Sequence, residues 1–205
     1  MRLDIVEWWV RWTGAVATSV CLIAVLAGIT RGSRRPRGRT TGLARQVLRL
    51  PAYLLISVLF FAPCFLLWRP LPLVFLAPAR AVALALGSLL LFPGLTLVLW
   101  GRFTLGEMYY VSSSVGAQLY ADHRLVTHGP FAFVRHPMYL GIILASVGGL
   151  FIYRTWALVF TTVCFLGLVL RARREEQALA AEFGEQWKEY CRRVPGWIPC
   201  ILGRR

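Results

Sequence analysis

Side chains capable of chemistry are unevenly spread along this chain. No Asp or Glu lies between Glu7 and Glu107, all three histidines (His123, His128 and His136) fall within fourteen residues, and five of the nine acids, Glu175, Glu176, Glu182, Glu185 and Glu189, follow Leu170. A histidine cluster could mean a metal centre. His-x4-His-x7-His without a nearby Cys or a well-spaced carboxylate matches zinc spacings poorly, so no metal is expected. His128 reads as an ordinary capping or interfacial residue. His136 is different because it precedes Pro137, which suits the first turn of a helix where its missing N–H has no partner to lose. The orphan N–H groups of that turn favour an anionic group such as a bound carboxylate. Phe131, Phe133 and Tyr139 add flat apolar surface on which a ring could rest, although aromatics at this depth also form the common interfacial belt.

The elements that must position these residues are membrane helices. Of 205 residues, 58% are hydrophobic and only 16% charged, and the mean hydropathy is +0.61; soluble domains run near 45 to 50% apolar and about 25% charged. Five apolar runs meet or approach the roughly 20 residues needed for about 30 Å of hydrocarbon. They are Trp12 to Thr30, Pro51 to Trp68, Arg80 to Trp100, Met138 to Ile152 and Thr155 to Leu170. Only Tyr153 and Arg154 separate the last two, which predicts a tight hairpin. The expected fold is an all-α integral membrane protein of about five transmembrane helices with a cytoplasmic C-terminal helix. Residues 1–100 would hold three N-terminal spans with a basic loop at 31–49, and residues 101–205 the functional core. The N-terminus lacks the pattern of a cleaved signal, so the first run is expected to remain as an anchor.

Five spans sort the basic residues cleanly. The loops 31–49, 101–137 and 171–205 carry 18 Lys or Arg, whereas Arg2, Arg11, Arg69, Arg80 and Arg154 make five on the other side. The positive-inside rule then puts the N-terminus outside and the C-terminus in the cytoplasm. The same placement argues against nucleic acid as the reason for the net charge of +14, because the basic residues flank apolar spans rather than forming a stripe. The Arg-rich run from Arg31 to Arg39 reads as a solvated topogenic loop that also attracts anionic lipid headgroups. The five cysteines (Cys21, Cys64, Cys164, Cys191 and Cys200) include no Cys-x-x-Cys pair, and packing explains them. After the fifth run, Leu179, Phe183 and Trp187 recur every four residues, a stripe that wants an apolar surface. That helix must end before Pro195-Gly196, and Trp197 with Ile198 can return to the interface. The hairpin would bring the histidine-bearing loop and this acidic helix together, which makes their meeting place the candidate site.

The motifs Gly129-Pro130-Phe131, Arg135-His136-Pro137-Met138-Tyr139-Leu140-Gly141, Glu175-Glu176, Phe183-Gly184 and Arg193-Val194-Pro195 resemble, in order and spacing, the isoprenylcysteine carboxyl methyltransferase family and its phospholipid methyltransferase relatives. The similarity covers roughly residues 100 to 200. It implies S-adenosylmethionine held between the loop before the hairpin and the C-terminal helix, with contacts carried by His123, Arg124, Leu125, Val126, Phe131, His136, Pro137, Met138, Tyr139 and Glu175. Arg171 matches the family's substrate-binding arginine. Phe131 stands where the prenylcysteine enzymes usually have tyrosine, which removes a hydroxyl contact, and the N-terminal half does not align with the family.

The implied activity is methyl transfer to a lipophilic small molecule or lipidated substrate that reaches the pocket from the bilayer, a prenylcysteine-like carboxylate among the acceptors. A methyl sulfonium is already activated, so the protein's task is chiefly alignment. Arg171 would orient a carboxylate through its guanidinium fork; read without the family, it is a snorkelling residue at the end of a span. Glu175 could take ribose hydroxyls or balance the sulfonium; read without the family, it is an exposed i,i+4 partner. Two rival readings remain: an NADPH-dependent enzyme like the sterol reductases, suggested by Trp187-Lys188-Glu189-Tyr190-Cys191, and a non-catalytic membrane protein that uses its C-terminal helix for docking. Nothing in the sequence sets the oligomeric state.

Overall fold

A computed structural model describes residues 2–32, 37–40, 50–109, 112–113, 116–120 and 124–198. Six α-helices dominate it: α1 (Arg2–Gly32), α2 (Leu50–Leu66), α3 (Ala77–Leu105), α4 (Pro137–Tyr153), α5 (Trp156–Leu166) and α6 (Leu168–Arg193). Three helical stretches, Arg2–Gly28, Ala77–Met108 and Trp156–Arg193, are long and apolar enough to cross a membrane by length and composition. The other two expected spans coincide with shorter apolar helices, Ser57–Leu66 and Pro137–Tyr153. At 17 residues, α4 reaches only ~25 Å at the helical rise. The fifth run does not stop at Leu170. Its helix α5 has 11 residues, and the chain turns once at Gly167, in helical backbone, before continuing as α6.

The centre of the bundle is the α3–α4 pair, flanked by α1, with α2 lying against α5. Lipid offers helices no hydrophobic drive to associate, so close approach of backbones must do the work. Small residues spaced along both helices permit it. A Cβ on Gly94 would sit 2.7 Å from the Gly141 carbonyl oxygen, and one on Gly148 would sit 2.4 Å from the backbone nitrogen of Leu91. Around this seam pack the buried residues Leu84, Leu91, Leu95, Val98, Met138, Ala145 and Ile152, with Cys21 reaching in from α1.

Each end of the bundle gathers its own connections. At one end the Leu67–Leu71 segment hydrogen-bonds across to Arg154, Trp156 and Ala157, and Pro70 bridges Thr155. Glu7 of α1 ties this end together. Its carboxylate accepts from Arg80 at 2.6 Å, pairs with Arg11 at 2.8 Å and also meets Arg154. Arg80 reaches Asp4 as well, at 2.9 Å. These arginines belong to the five that the charge count assigns to one side. At the opposite end, β1 (Arg37–Thr40), β2 (Ser112–Ser113) and β3 (Gly116–Tyr120) form a small antiparallel sheet in the order β1-β3-β2. The sheet joins the loop after α1 to the loop after α3, two of the three loops that the charge count puts on the other side. Sequence periodicity gave no hint of it, because strands this short carry too little alternation to register.

Candidate active site

The site is built where α4 begins. Residues Gly129–Ala132 make a 3-10 turn, entered through Gly129 at φ +61°, a conformation that glycine adopts without cost. His128 precedes this turn, exposed and making no side-chain cap. Pro137 then opens α4 as its first residue, as expected. The chain beyond α6 completes the arrangement: the Arg135 N–H donates to the Pro195 carbonyl at 2.9 Å and the His136 N–H to the Gly196 carbonyl at 3.2 Å. The stop before Pro195-Gly196 is therefore fastened to the entrance of α4. Trp197 adds to this, its ring 5.5 Å from that of His136, so this tryptophan packs on a site residue rather than serving only as an interface anchor.

Between the α4 entrance and α6 lies a cavity of about 340 Å³, within the range typical of small-molecule sites. Ten of the eleven residues implicated by the sequence line it: Arg124, Leu125, Val126, Phe131, His136, Pro137, Met138, Tyr139, Arg171 and Glu175. The eleventh, His123, lies outside the described residues. Val25 from α1, Leu105 and Tyr109 after α3, and Phe165 and Leu168 at the α5–α6 junction close the apolar side.

The polar side has a definite order. Tyr139 donates its hydroxyl hydrogen bond to Glu175. Arg171, one helical turn before Glu175, approaches the same carboxylate oxygen at 3.7 Å and lies 5.4 Å from the centre of the Tyr139 ring. The two glutamates of the pair part company here. Glu175 faces the cavity, whereas Glu176 accepts from His136 Nε2 at 2.9 Å and pairs with Arg135 at 3.3 Å. Residues from Arg171 onward lie past the apolar part of their helix. Burial acts to raise the Glu176 carboxyl, but the His136 hydrogen bond and the charges of Arg135, His136 and Arg173 outweigh it and hold the group below its ordinary value.

The second half of α6 also reaches the cavity, through Trp187 and Tyr190. Gly184, at φ +50° and ψ −118°, breaks the helix in a region that side chains forbid. Past this break, Trp187 and Tyr190 are buried and pack with Val194, Leu125, Leu179, Phe183 and Cys191. The periodic stripe thus finds its apolar surface against the loop that carries Leu125. Tyr190 donates to the Phe131 carbonyl at 2.6 Å, and burial pushes its phenol upward, keeping it a neutral donor. At Phe131, where the resemblance to the prenylcysteine enzymes led to the expectation of a lost hydroxyl contact, the backbone carbonyl makes a polar contact. Among the described residues no group of His, Cys, Asp and Glu is arranged to hold a metal ion.

Comparison with known proteins places this arrangement. The phospholipid methyltransferase family matches residues 82–186, a stretch from early α3 through the Glu pair to the Gly184 break. The chain belongs to the phospholipid methyltransferase family. A methanethiol S-methyltransferase from Bradyrhizobium diazoefficiens is 30% identical over 202 residues, covering 90% of this chain and 67% of that protein. Protein-S-isoprenylcysteine O-methyltransferases match over shorter stretches. That of Schizosaccharomyces pombe is 34% identical over 92 residues, 44% of this chain and 39% of its own length. The human protein is 35% identical over 89 residues, 40% of this chain and 29% of its own length. These sequence matches span 39% or less of the two isoprenylcysteine enzymes. Among solved structures, a eukaryotic intramembrane Ras methyltransferase gives a TM-score of 0.47 at 24% identity, covering 77% of this chain and 55% of that one.

Beyond the residues singled out in the sequence, the structure adds Arg135, Glu176, Trp187 and Tyr190 to the site's framework. Arg135 and Glu176 sit inside quoted motifs, yet their partnership is tertiary and has no sequence signature. Trp187 was legible as part of the amphipathic stripe and, with Tyr190, of the motif that suggested a reductase, but not as a site residue.

Proposed function

We propose that this chain is an S-adenosylmethionine-dependent membrane methyltransferase that transfers a methyl group to a lipophilic acceptor. The observation that carries the reading is the convergence of Tyr139, Glu175 and Arg171 with the 124–126 loop on one cavity, in a member of a methyltransferase family. The lining suits a sulfonium nucleoside chemically. Glu175 offers a carboxylate for ribose hydroxyls or for the positive sulfur, Phe131 and Trp187 offer aromatic surface, and the cavity size is adequate. The bound cofactor supplies the activated methyl group. The protein's residues align the acceptor with it and keep water out, a positioning effect that accounts for much of the catalysis in such reactions. Residues 101–205 act as the methyltransferase core, and the N-terminal half reaches the cavity through Val25, a place from which it can shape the acceptor side.

Arg171 is the acceptor-orienting residue in this reading. For a prenylcysteine-like carboxylate its fork supplies paired hydrogen bonds. A thiol acceptor is a second reading, favoured by the similarity to the methanethiol enzyme across nine-tenths of this chain. There the guanidinium would stabilise the thiolate, the nucleophilic form. The relatives named above are methyltransferases, and no observation favours the NADPH reductase reading. The basic loops, with the cavity at their end of the bundle, support a cytoplasmic active site.

The test is incubation of membranes carrying this chain with methyl-labelled S-adenosylmethionine. A base-labile labelled product in the lipid phase identifies a carboxyl acceptor, and a base-stable thioether identifies a thiol. Saturable NADPH binding to purified protein that fails to bind S-adenosylmethionine would overturn the assignment.

A further inference from the structure

Successive residues on a helix point about 100° apart, so the adjacent carboxylates of Glu175 and Glu176 cannot serve the same partner. Glu175 enters the cavity wall; Glu176 is absent from it and stands behind. Three segments meet there. The helix of Glu176 is one. Arg135 and His136 at the entrance to α4 are the second, at 3.3 Å and 2.9 Å. The third is the 194–196 segment, whose carbonyls hold the backbones of those same two residues. His136 is nearly buried, its side chain 5% exposed against 28% for Glu176. Its ring stacks on Tyr139 with centroids 5.8 Å apart and an interplanar angle of 9°, and Tyr139 in turn donates to Glu175.

We propose that Glu176 is a positioning residue that orients the cavity wall through His136: its carboxylate accepts the Nε2–H, fixing the tautomer and plane of the imidazole on which Tyr139 rests. A carboxylate has no proton to give at neutral pH, so Nε2 must carry the hydrogen, and whenever the imidazole is in its neutral form Nδ1 is then an acceptor only. The guanidinium of Arg135 shares the carboxylate, reaches the Cys191 sulfur and lies 5.8 Å from the ring of the cavity-lining Trp187, so the same charge also bears on that tryptophan. Supporting groups of this kind set the precision of a site whose contacts are made by others. The proposal rests on the methyltransferase reading for its functional consequence but not for its chemistry.

Two measurements test it on full-length protein in detergent. Nitrogen-15 spectra of histidine-labelled protein without ligand, at a pH where imidazole is neutral, should show His136 locked as the Nε2–H tautomer in the parent and in Glu176→Gln, whose amide oxygen can still accept. Glu176→Ala should show a tautomer mixture. S-adenosylmethionine should bind Glu176→Ala about tenfold more weakly, as expected for loss of a hydrogen bond to a charged group, with Glu176→Gln between the two. Glu182→Ala, exposed on the same helix, should bind as the parent does. Unchanged tautomer and affinity in Glu176→Ala would sink the proposal, since a merely structural ion pair would shift neither. Should Glu176→Ala fail to fold, the Gln variant decides: an affinity equal to the parent's overturns it. If the parent itself binds no S-adenosylmethionine, the proposed function falls, and the spectra still decide what Glu176 does.

Discussion

Tyr139, near the start of α4, donates its phenolic hydrogen to Glu175, which lies 36 residues further along the chain on α6. The intervening hairpin of α4 and α5 returns the chain to the end of the bundle it left, so a hydroxyl and a carboxylate remote in sequence meet on one wall.

Replacing Tyr139 by Phe removes this donor and leaves the ring. Hydrogen bonds to charged groups are worth about 1.5 to 3 kcal/mol, so cofactor affinity should fall by roughly ten- to a hundredfold. The maximal rate should change less. Isothermal titration with S-adenosylmethionine checks this; equal affinities for parent and variant would remove Tyr139 from the binding wall.

Arg171→Lys keeps the charge but loses the planar fork, and the two are not interchangeable where two hydrogen bonds are made together. The KM for the acceptor should rise by about tenfold or more, while cofactor affinity stays near that of the parent. A loss confined to cofactor binding would mean that Arg171 serves only Glu175.

The α3–α4 seam makes a prediction about stability alone. Gly94→Ala places a methyl group 2.7 Å from backbone atoms of Gly141 and Ala145, atoms that cannot step aside as a side chain would. Overpacking of this kind costs about 1 to 3 kcal/mol, read as a lower thermal midpoint in detergent. Gly106→Ala, with open space at its Cβ position but a φ of +50°, should lose less than Gly94→Ala.

Glu7 is 5% exposed and faces three arginines. Glu7→Ala leaves Arg11 and Arg154 without this carboxylate, while Arg80 keeps Asp4, and should lower stability by on the order of 3 kcal/mol. Asp4→Ala, at a side chain 60% exposed, should have little effect. Midpoints in the same detergent compare the two.

Acid should loosen the site through Glu176. Its carboxyl is held below the ordinary value of 4.5 in the folded protein, so the unfolded chain takes up the proton first as pH falls. The stabilisation is complete above that ordinary value and is lost as pH drops through the folded one. Parent and Glu176→Gln should therefore converge in stability at low pH, as midpoints taken across the pH range will show.

Much of the site was readable from sequence because its contacts cluster at a turn and a helix start. Gly129-Pro130 and Pro137 dictate backbone whatever surrounds them, and the basic loops sort the ends of the bundle by simple counting. Other features depend on tertiary partners. Glu176 looked like the twin of Glu175 until helix geometry turned it toward Arg135 and His136. Gly94 and Gly148 carry no chemistry and draw notice only when a second backbone lies against them. Gly184 sits within a run of good helix formers, and only its positive φ shows that the helix breaks there. The fifth span was drawn too discretely, because apolarity ends at Leu170 while the helix continues through it.

The Glu7 cluster lies at the end of the bundle remote from the cavity, where it fastens α1, α3 and the α4–α5 turn by charge. The cavity end has ties of its own, the Tyr139–Glu175 and Tyr190–Phe131 hydrogen bonds and the Arg135–Glu176 ion pair, so cutting the Glu7 knot would free helix tips without undoing the wall of the cavity.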